Sequence, residues 1–360
     1  MKSWDVIIIG AGIIGLSLAI ALRKHGRRVL VVERGEPGRE ASYAAAGMLA
    51  GTGLEIPAPL RTLAEASARF YPEFVHELED ESGMKVDLRD QGTILLSSDG
   101  RFPPSAELIS PEELQTFEPM LTIPRRGRLG PHDSSQISAA YLIERSVDPR
   151  ALVTAAIKAA RHRGIDISSG AEVKRLLVSD ERVTGVQTER TSYSAAVVVN
   201  CAGAWAGYVG PDRFPVRPVM GQMLAVVGGS ALNHVVRAEE VYLVPRSHGR
   251  IVIGSTLENV GYSKQTDVNT IQRLFHAALE LAPGLSDGKI HEDWAGLRPG
   301  TPDDLPILGE ASTAAYFVST GHYRDGILLA PITAQTMTSL IMRETLSHDL
   351  MPFSPSRFDT

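Results

Sequence analysis

Three glycines near the N-terminus, Gly10, Gly12 and Gly15, have the GxGxxG spacing that can bind a dinucleotide. The first glycine allows a tight turn, the second lets a pyrophosphate approach the backbone, and the third lets a helix pack closely on a strand. Glu33 follows 18 residues after Gly15, where a carboxylate can accept hydrogen bonds from ribose hydroxyls. These residues predict an adenine dinucleotide site and leave FAD and NAD as alternatives.

The residues around these glycines have a strand–helix–strand pattern. Residues 6–9 and 28–32 are apolar without alternation, as in parallel strands that are covered on both faces. Residues 16–24 indicate a helix, whose N-terminus offers N–H groups and a positive dipole to phosphates. A glycine-rich turn in an unrelated α/β protein is one alternative, and a signal peptide for the uncharged run 6–22 is another. Strand, turn, helix, strand and acid in register over about 30 residues favour the dinucleotide site.

The composition limits the classes to which the chain can belong. Its 360 residues include 36 Lys and Arg against 42 Asp and Glu, for a net charge of −6, and 43% are hydrophobic. There is no basic block, so we expect neither a nucleic acid nor a membrane as partner. The single cysteine excludes an intrachain disulfide and metal centres built on several cysteines. We therefore expect a cytoplasmic protein without a metal site.

The remaining pattern predicts two interleaved domains in an α/β fold. Helical spacing is expected in four long segments, at residues 60–83, 149–163, 267–281 and 326–346. Residues 86–97, with Gln91-Gly92 inside, are typical of a β-hairpin. The dinucleotide domain is expected to comprise residues 1–85, 145–215 and 296–360. An α+β substrate domain on an antiparallel sheet is expected to comprise residues 86–144 and 216–295.

Residues 39–49 are rich in small side chains, as a flat ring system lying against the backbone requires. A tightly packed helix would suit the same residues. Eight strings of the sequence match a known family: DVIIIGAGIIG, VLVVER, ASYAAAGML, VVVNCAGAWA, YLVPR, GRIVIGST, WAGLRPGTPDDLPILG and GHYRDGILLAP.

On these strings the chain resembles the FAD-dependent amine and D-amino acid oxidase superfamily and, within it, the glycine oxidase family of thiamine biosynthesis. The matches extend from residue 5 to residue 331. The resemblance implies a Rossmann-type FAD-binding domain interleaved with the substrate domain, FAD held without a covalent bond, and a homo-oligomer, with tetramers common in the family. Cys201 is then interpreted as a buried spectator rather than a flavin attachment site.

The resemblance also implies which residues bind the cofactor. They are Gly10, Gly12, Ile13, Ile14, Gly15, Glu33, Arg34, Ala41, Ser42, Ala46, Gly47, Met48, Val173, Gly203, Trp205, His322, Tyr323, Arg324, Asp325, Gly326, Ile327 and Leu328. The first turn of the helix after Asp325 would stabilise negative charge on the flavin pyrimidine edge. The family usually has Asn at the position of Asp325, so an acid here adds negative charge beside this edge unless it is paired with Arg324 or turned to solvent.

Three side chains are the candidate catalytic residues: Arg298, Tyr242 and Arg324. A guanidinium matches a carboxylate as a bidentate fork, and the family's Arg in the motif around Arg298 binds the substrate carboxylate. A structural ion pair is the alternative for Arg298, and a half-buried strand tyrosine is the alternative for Tyr242. His322 is interpreted as structural. Leu257 stands where the family often has a pocket-lining Met.

The function implied is oxidation of glycine, or of another small amine or D-amino acid, to an imine by hydride transfer to flavin. Molecular oxygen would reoxidise the flavin to give hydrogen peroxide, and water would convert the imine to an oxo acid and ammonia. Positioning carries most of such catalysis, so a strong protein base is not required. A D-amino acid dehydrogenase-like enzyme with another electron acceptor and a non-enzymatic FAD-binding module are the alternatives.

Overall fold

The structure is a computed structural model that describes residues 3–122, 137–229 and 231–358. The helices are α1 (Ile13–Lys24), α2 (Ala41–Ala44), α3 (Arg61–Ser82), α4 (Pro111–Phe117), α5 (Pro149–His162), α6 (Val268–Leu281) and α7 (Gly326–Ile341). Short 3₁₀ helices lie at Ala58–Leu60, Gly203–Tyr208, Pro283–Asp287, Met351–Phe353 and Pro355–Phe358. None of the helices in the described ranges has both the length and the apolar character needed to cross a membrane.

The strands are β1 (Ser3–Ile9), β2 (Val29–Val32), β3 (Met48–Leu49), β4 (Leu88–Arg89), β5 (Thr93–Ser97), β6 (Glu107–Ile109), β7 (Ser138–Leu142), β8 (Arg145–Val147), β9 (Asp166–Ser168), β10 (Val173–Ser179), β11 (Arg182–Thr188), β12 (Ser192–Asn200), β13 (Arg217–Val227), β14 (Val235–Arg237), β15 (Tyr242–Pro245), β16 (Arg250–Gly254), β17 (Lys289–Gly300), β18 (Ile307–Glu310) and β19 (Tyr316–Thr320). They form two large sheets and a small three-stranded one.

The first large sheet is parallel at its centre. β1 lies between β2 and β12, and β9 and β19 extend the parallel run on either side. Val6 and Ile8 of β1 face a core shared with α1, whereas Ile7 faces a second core on the other side. A strand covered on both faces must be apolar throughout, which explains the uninterrupted hydrophobic run. The predicted α/β fold with a Rossmann-type unit is confirmed.

The second large sheet is largely antiparallel, in the order β17-β13-β16-β15-β14-β5-β7-β6. One face packs on α6 through a core that includes Leu224 and Leu274. The other face carries Met223, Val244 and Val252 and contacts Ala46 of the segment between α2 and β3. The second sheet therefore presents a face to the first domain's small-residue segment. The division into interleaved domains at the predicted boundaries stays a prediction.

The β-hairpin predicted at 86–97 is wrong. β4 pairs with β8 in the small sheet β3-β8-β4, whereas β5 pairs with β7 and β14 in the second large sheet. Gly92 has φ +93° and follows a bend at Gln91, but the segment connects two different sheets. Two adjacent strands with a turn between them satisfy the local pattern of a hairpin, and only distant partners decide the pairing.

The four long helices are confirmed, with one different end. Asp148 caps α5 by accepting from the Arg150 N–H at 2.9 Å, and Pro149 follows at the first position. α7 ends at Ile341 rather than near residue 346, and Arg343 adopts a left-handed conformation with φ +60°. No Gly or Pro marks that end, so the sequence prediction continued past it. The prolines of segment 100–133 predict loops with short helices; β6 and α4 lie within it, and residues 123–133 are outside the described residues.

Candidate active site

A cavity of about 670 Å³ lies between the turn after β1, the segment from α2 to β3, and the uncovered face of the second sheet. Its size falls within the roughly 300–1,000 Å³ that is usual for small-molecule and cofactor sites. The loop between β19 and α7 and the residues after β12 complete its wall. The cavity therefore joins the glycine fingerprint to the antiparallel sheet.

The fingerprint glycines form one end of the cavity. Gly10 has φ +106°, and a Cβ there would overlap the Cys201 carbonyl oxygen on β12's extension. A Cβ at Gly15 would overlap the Gly10 carbonyl, so Gly15 lets α1 pack against the turn. α1 begins after Gly12, which has no side chain to cap it, and the Ile13 N–H donates to Ser42 Oγ at 3.0 Å. The first turn of α1 thus offers N–H groups to a phosphate.

Glu33 is buried at the end of β2. Its Oε2 accepts from the Ala11 N–H at 2.8 Å and its Oε1 accepts from the Gly35 N–H at 2.9 Å. Each carboxylate oxygen has a second lone pair, so the two backbone bonds orient Glu33 without exhausting it. The carboxylate lines the cavity beside the glycines, where ribose hydroxyls of a bound dinucleotide could donate to it.

The same end carries an aromatic and cationic wall. The Arg34 guanidinium lies 3.5 Å from the centre of the Trp205 ring, and Trp205 packs on Tyr262 at 5.3 Å between ring centres. Val173 and Gly203 line the cavity next to them. Stacked planar groups of this kind suit a flat base.

The segment Ala46–Met48 forms the floor between the two ends. A Cβ at Gly47, where φ is +76°, would overlap the Val147 carbonyl oxygen. Arg246, buried at the end of β15, donates to the Ala46 carbonyl, and burial lowers the pKa of Arg246 to about 10. A guanidinium from the second sheet therefore fixes the backbone of this segment.

The loop before α7 forms the wall opposite that floor. His322 is buried, its Nε2 lies 3.1 Å from Thr333 Oγ1, and burial lowers its pKa to about 3. His322 is therefore neutral near pH 7, which agrees with a structural role. Burial raises the pKa of Asp325 to about 6, against the opposing effect of Arg324. Asp325 stands at the N-terminus of α7 without a side-chain cap bond.

Arg298 projects from β17 over Gly221 of β13. Its Nη2 donates to Ser255 Oγ at 2.6 Å, and its Nη1 donates to the Thr256 carbonyl at 3.3 Å. A Cβ at Gly221 would overlap the guanidinium, so glycine is needed on the neighbouring strand. Each terminal nitrogen has two N–H groups, so one on each remains for a ligand. The arrangement can hold a carboxylate as a fork.

The loop that holds Arg298 is itself fixed. Thr256 Oγ1 donates to Glu258 Oε1 at 2.5 Å and accepts from the Gln222 N–H at 2.9 Å. The Gln222 amide donates to the same Glu258 oxygen at 2.9 Å. Strand β13 therefore anchors the residues that orient the guanidinium on β17.

Tyr242 lies opposite Gly254 on β16 and opposite Arg237 on β14. A Cβ at Gly254 would come within 2.7 Å of Tyr242 Oη, so the glycine makes room for the hydroxyl. Directly opposed residues of an antiparallel pair project from the same face of the sheet. Tyr242 and Arg237 therefore both project towards the cavity, and both line it.

Arg324 lines the cavity but is paired with an acid. Its Nη1 lies 3.2 Å from Glu55 Oε2, and Arg237 Nη2 lies 3.4 Å from Glu55 Oε1. Glu55 belongs to the segment after β3, so one carboxylate connects that segment to the second sheet and to the loop before α7. Neither Glu55 nor Arg237 was predicted from the sequence.

Nearly all the predicted site residues line this single cavity. The exceptions are Gly15, which packs inside the β1–α1 unit, and Leu328 of α7, which is only 1% exposed and lies in the hydrophobic core. Met48 and Leu257 are also on the cavity wall, as is Cys201, whose thiol pKa is raised by burial. The structure thus brings the three candidate catalytic side chains and the predicted cofactor residues to one place.

Several lining residues were missed: Gly221, Met223, Arg237, Gly254, Ser255 and Glu55. Gly254-Ser255-Thr256 directly follows a predicted strand, and a glycine at a strand end was a usable signal. Arg237 and Glu55 had none, because their partners are distant in sequence.

The chain is similar to known proteins along most of its length. A family model described as DAO, FAD dependent oxidoreductase, matches residues 5–340. The bifunctional protein ThiO/ThiG of Synechocystis sp. is 36% identical over 368 residues, which cover 99% of this chain and 54% of that protein. The chain thus spans about half the length of this relative.

Two glycine oxidases match along their whole length. The one from Pseudomonas aeruginosa is 32% identical over 361 residues, covering 98% of each chain. The crystal structure of glycine oxidase from Geobacillus kaustophilus superposes with a TM-score of 0.90 at 29% identity, with 99% of both chains covered.

Proposed function

The chain belongs to the DAO family of FAD dependent oxidoreductases, and on that premise we propose that it oxidises glycine or another small amine or D-amino acid. It is an FAD-dependent enzyme of the glycine oxidase type. In the proposed reaction the amino acid, oxygen and water give the oxo acid, ammonia and hydrogen peroxide. The observation that carries the proposal is a guanidinium with free N–H groups on the wall of the cavity that also contains the dinucleotide fingerprint.

The residues present suit FAD. The N-terminus of α1, where the Ile13 N–H donates to Ser42 Oγ, lines the cavity, and a Cβ at Gly12 would narrow that end by lying 3.2 Å from the same oxygen. We propose that α1 and Gly12 hold the pyrophosphate, that Glu33 binds the ribose, and that the Ala46–Met48 segment and α7 contact the ring system. When bound, FAD would accept a hydride, that is, two electrons and one proton, from the substrate and would pass the two electrons to oxygen.

Arg298 and Tyr242 bind the substrate carboxylate in this proposal. The guanidinium supplies two parallel N–H donors, because Ser255 and Thr256 each occupy only one N–H of a terminal nitrogen. The Tyr242 hydroxyl, free of the neighbouring strand because of Gly254, donates a further bond. Three donors fix the carboxylate, so the orientation of the Cα–H is set by the protein.

The amine must lose its extra proton before oxidation, since the nitrogen lone pair assists the departure of hydride. His322 is unsuited to accept that proton, because it is buried and its Nε2 already contacts Thr333. We propose that the neutral amine binds directly and that the protein's contribution is orientation and exclusion of water. The imine is then the product that leaves for hydrolysis or, in thiamine biosynthesis, for use.

The test is anaerobic addition of glycine, sarcosine, D-alanine and D-proline to the yellow holoenzyme, followed by flavin absorbance. We expect at least one of them to bleach the flavin, and admission of oxygen to restore the colour with formation of hydrogen peroxide. Bleaching that only an artificial electron acceptor reverses would favour the dehydrogenase alternative. A flavin that no small amine reduces contradicts the proposal. The cytoplasmic location and the homo-oligomer stay predictions.

A further inference from the structure

Two guanidinium groups meet around a single carboxylate at one side of the cavity. Glu55 lies 3.4 Å from Arg237 and 3.2 Å from Arg324, and all three side chains line the cavity. Two arginines on one carboxylate make an anion-binding arrangement. Arg237 is 15% exposed, whereas Glu55 is 61% exposed. The arginine on the sheet is held by the fold, and the acid is the solvent-facing partner.

The position of Arg237 relates this cluster to the substrate end. Met223, Gly254, Tyr242 and Arg237 are opposed in register across β13, β16, β15 and β14, whereas Arg298 of β17 lies opposite Val219, four residues along β13 from Met223. Neighbouring strands lie about 4.8 Å apart. Arg237 is therefore one strand beyond Tyr242, on the side away from Arg298. The two groups thus lie on one face of the sheet, and a ligand that reaches both must extend along that face from Arg298 past Tyr242.

Arg237 is ion-paired with two carboxylates, Glu55 and Glu144, but both contacts are long. Its Nη1 lies 3.7 Å from Glu144 Oε2, which is beyond hydrogen-bond distance, and this nitrogen has no hydrogen-bond partner among the described residues. Burial raises the pKa of Glu144 despite the nearby guanidinium. The ion pair between Arg237 and Glu55 is also weak, because exposed ion pairs contribute only about 0–1 kcal/mol to stability. Arg237 therefore retains capacity for a better carboxylate partner.

Other acidic side chains near Arg237 and Arg324 would repel a bound anion, so their charges must be counted as well. Burial raises the pKa of Asp325; the charges of Arg324 and Arg237 lower it, and the charge of Glu55 raises it further. Glu239 lines the cavity, and its Oε1 accepts from the Ser98 N–H at 3.1 Å. An incoming carboxylate adds no net charge only if Glu55 withdraws. The charges of this cluster therefore favour binding in which the incoming carboxylate replaces that of Glu55.

We propose that Arg237 and Arg324 form a second anion subsite, which Glu55 occupies until a substrate with two carboxylates displaces it. The ligand class is a small amine with a second carboxylate, such as D-aspartate. Its first carboxylate binds Arg298 and Tyr242, and its second binds between Arg237 and Arg324. The substrate class named here rests on the proposed function, whereas the subsite itself requires only that the cavity bind carboxylic acids.

The test uses FAD-loaded enzyme and two acids without an amine, acetate and succinate, with binding followed by the change in flavin absorbance. Neither acid can be oxidised as an amine, so a failed reaction with amines leaves this measurement intact. The quantity compared is the ratio of succinate affinity to acetate affinity. The variants are Glu55→Gln, Arg237→Lys and, as control, Arg61→Gln, which lies on the exposed start of α3 away from the cavity.

In Glu55→Gln we expect this ratio to rise about threefold or more, because the internal competitor is neutral. In Arg237→Lys we expect it to fall about tenfold, because lysine keeps the charge beside Glu144 and loses the fork. Arg61→Gln should leave the ratio at the wild-type value. Because Glu55 is exposed, its variant folds even if Arg237→Lys does not. The proposal is overturned if the ratio in Glu55→Gln stays within about twofold of wild type, or if both acids gain equally.

Discussion

The two ends of the cavity are built in different ways. The core of the dinucleotide end comes from a continuous stretch, with the glycine turn, α1, β2 and Glu33 all within residues 3–33 and fixed by backbone hydrogen bonds, and distant residues such as Trp205 add only its outer wall. The substrate end comes from strands and loops far apart in sequence, and Arg298 depends on Ser255 and Thr256 of another strand's loop. The first end is a local structure, whereas the second exists only when the whole sheet is formed. Substitutions at the dinucleotide end should therefore lower FAD binding, whereas substitutions at the substrate end should lower substrate affinity.

The substitution with the largest expected effect should weaken substrate binding without changing FAD binding. Arg298→Ala should lower substrate affinity by about 2–5 kcal/mol, since a desolvated carboxylate loses its fork, which is roughly 30-fold to several thousandfold. The amount of FAD bound per chain should stay at the wild-type value, because Arg298 belongs to the substrate end. Steady-state kinetics with glycine and the flavin content of purified protein measure both. A loss under threefold would assign Arg298 a structural role.

The acid at the N-terminus of α7 gives a pH-dependent effect. The pKa of Asp325 is raised from 3.8 to about 6, so the folded protein binds an extra proton between these values and stability falls as pH rises through them. Asp325→Asn removes this loss of stability, so above pH 6 the variant should be more stable than wild type by up to about 3 kcal/mol. Melting temperatures of wild type and variant across pH 4–8 should diverge on the alkaline side. Parallel curves would show that the carboxyl is unperturbed.

Gly10→Ala tests the dinucleotide end alone. Its Cβ would overlap the Cys201 carbonyl oxygen, so the turn must shift and FAD retention should fall, with a cost of about 2 kcal/mol. Gly26→Ala is the matched control: it also has positive φ, 75°, but nothing within 4 Å of the new Cβ, and should cost about 1 kcal/mol. Flavin content and melting temperature report the difference. Equal losses in both variants would remove the case for close packing at Gly10.

The smallest effect concerns a residue that only positions another. Ser255→Ala removes the 2.6 Å bond to Arg298 and should cost about 1 kcal/mol, or roughly fivefold in KM, with kcat nearly unchanged. Ser263→Ala, on an exposed loop outside the cavity, is the control. A fall in kcat without a change in KM would mean that Ser255 acts on the reaction itself rather than through Arg298.

The sequence predicts the dinucleotide end well because its determinants are neighbours in the chain. Gly10, Gly12 and Glu33 are recognisable from spacing alone, and the structure places all three on the cavity wall. The substrate end is less predictable. Arg298 was identified through family resemblance, and its bond to Ser255 could not be inferred from either segment.

The errors have the same cause. β4 and β5 match the local pattern of a hairpin, yet their partners β8 and β14 lie some 50 to 140 residues away along the chain. Glu55 and Arg237 are ordinary surface residues in sequence, and only folding brings them within 3.4 Å. Pairing over such separations is decided by tertiary packing, which periodicity does not report.

The central claim is that a carboxylate held by Arg298 meets FAD bound along β1 and α1. A crystal structure of the holoenzyme with glycolate, which has a carboxylate but no amine, tests it directly. We expect the pyrophosphate at the first turn of α1 and the glycolate carboxylate about 2.8 Å from both terminal nitrogens of Arg298. A carboxylate bound elsewhere with Arg298 unengaged, or a dinucleotide absent from α1, would contradict the account.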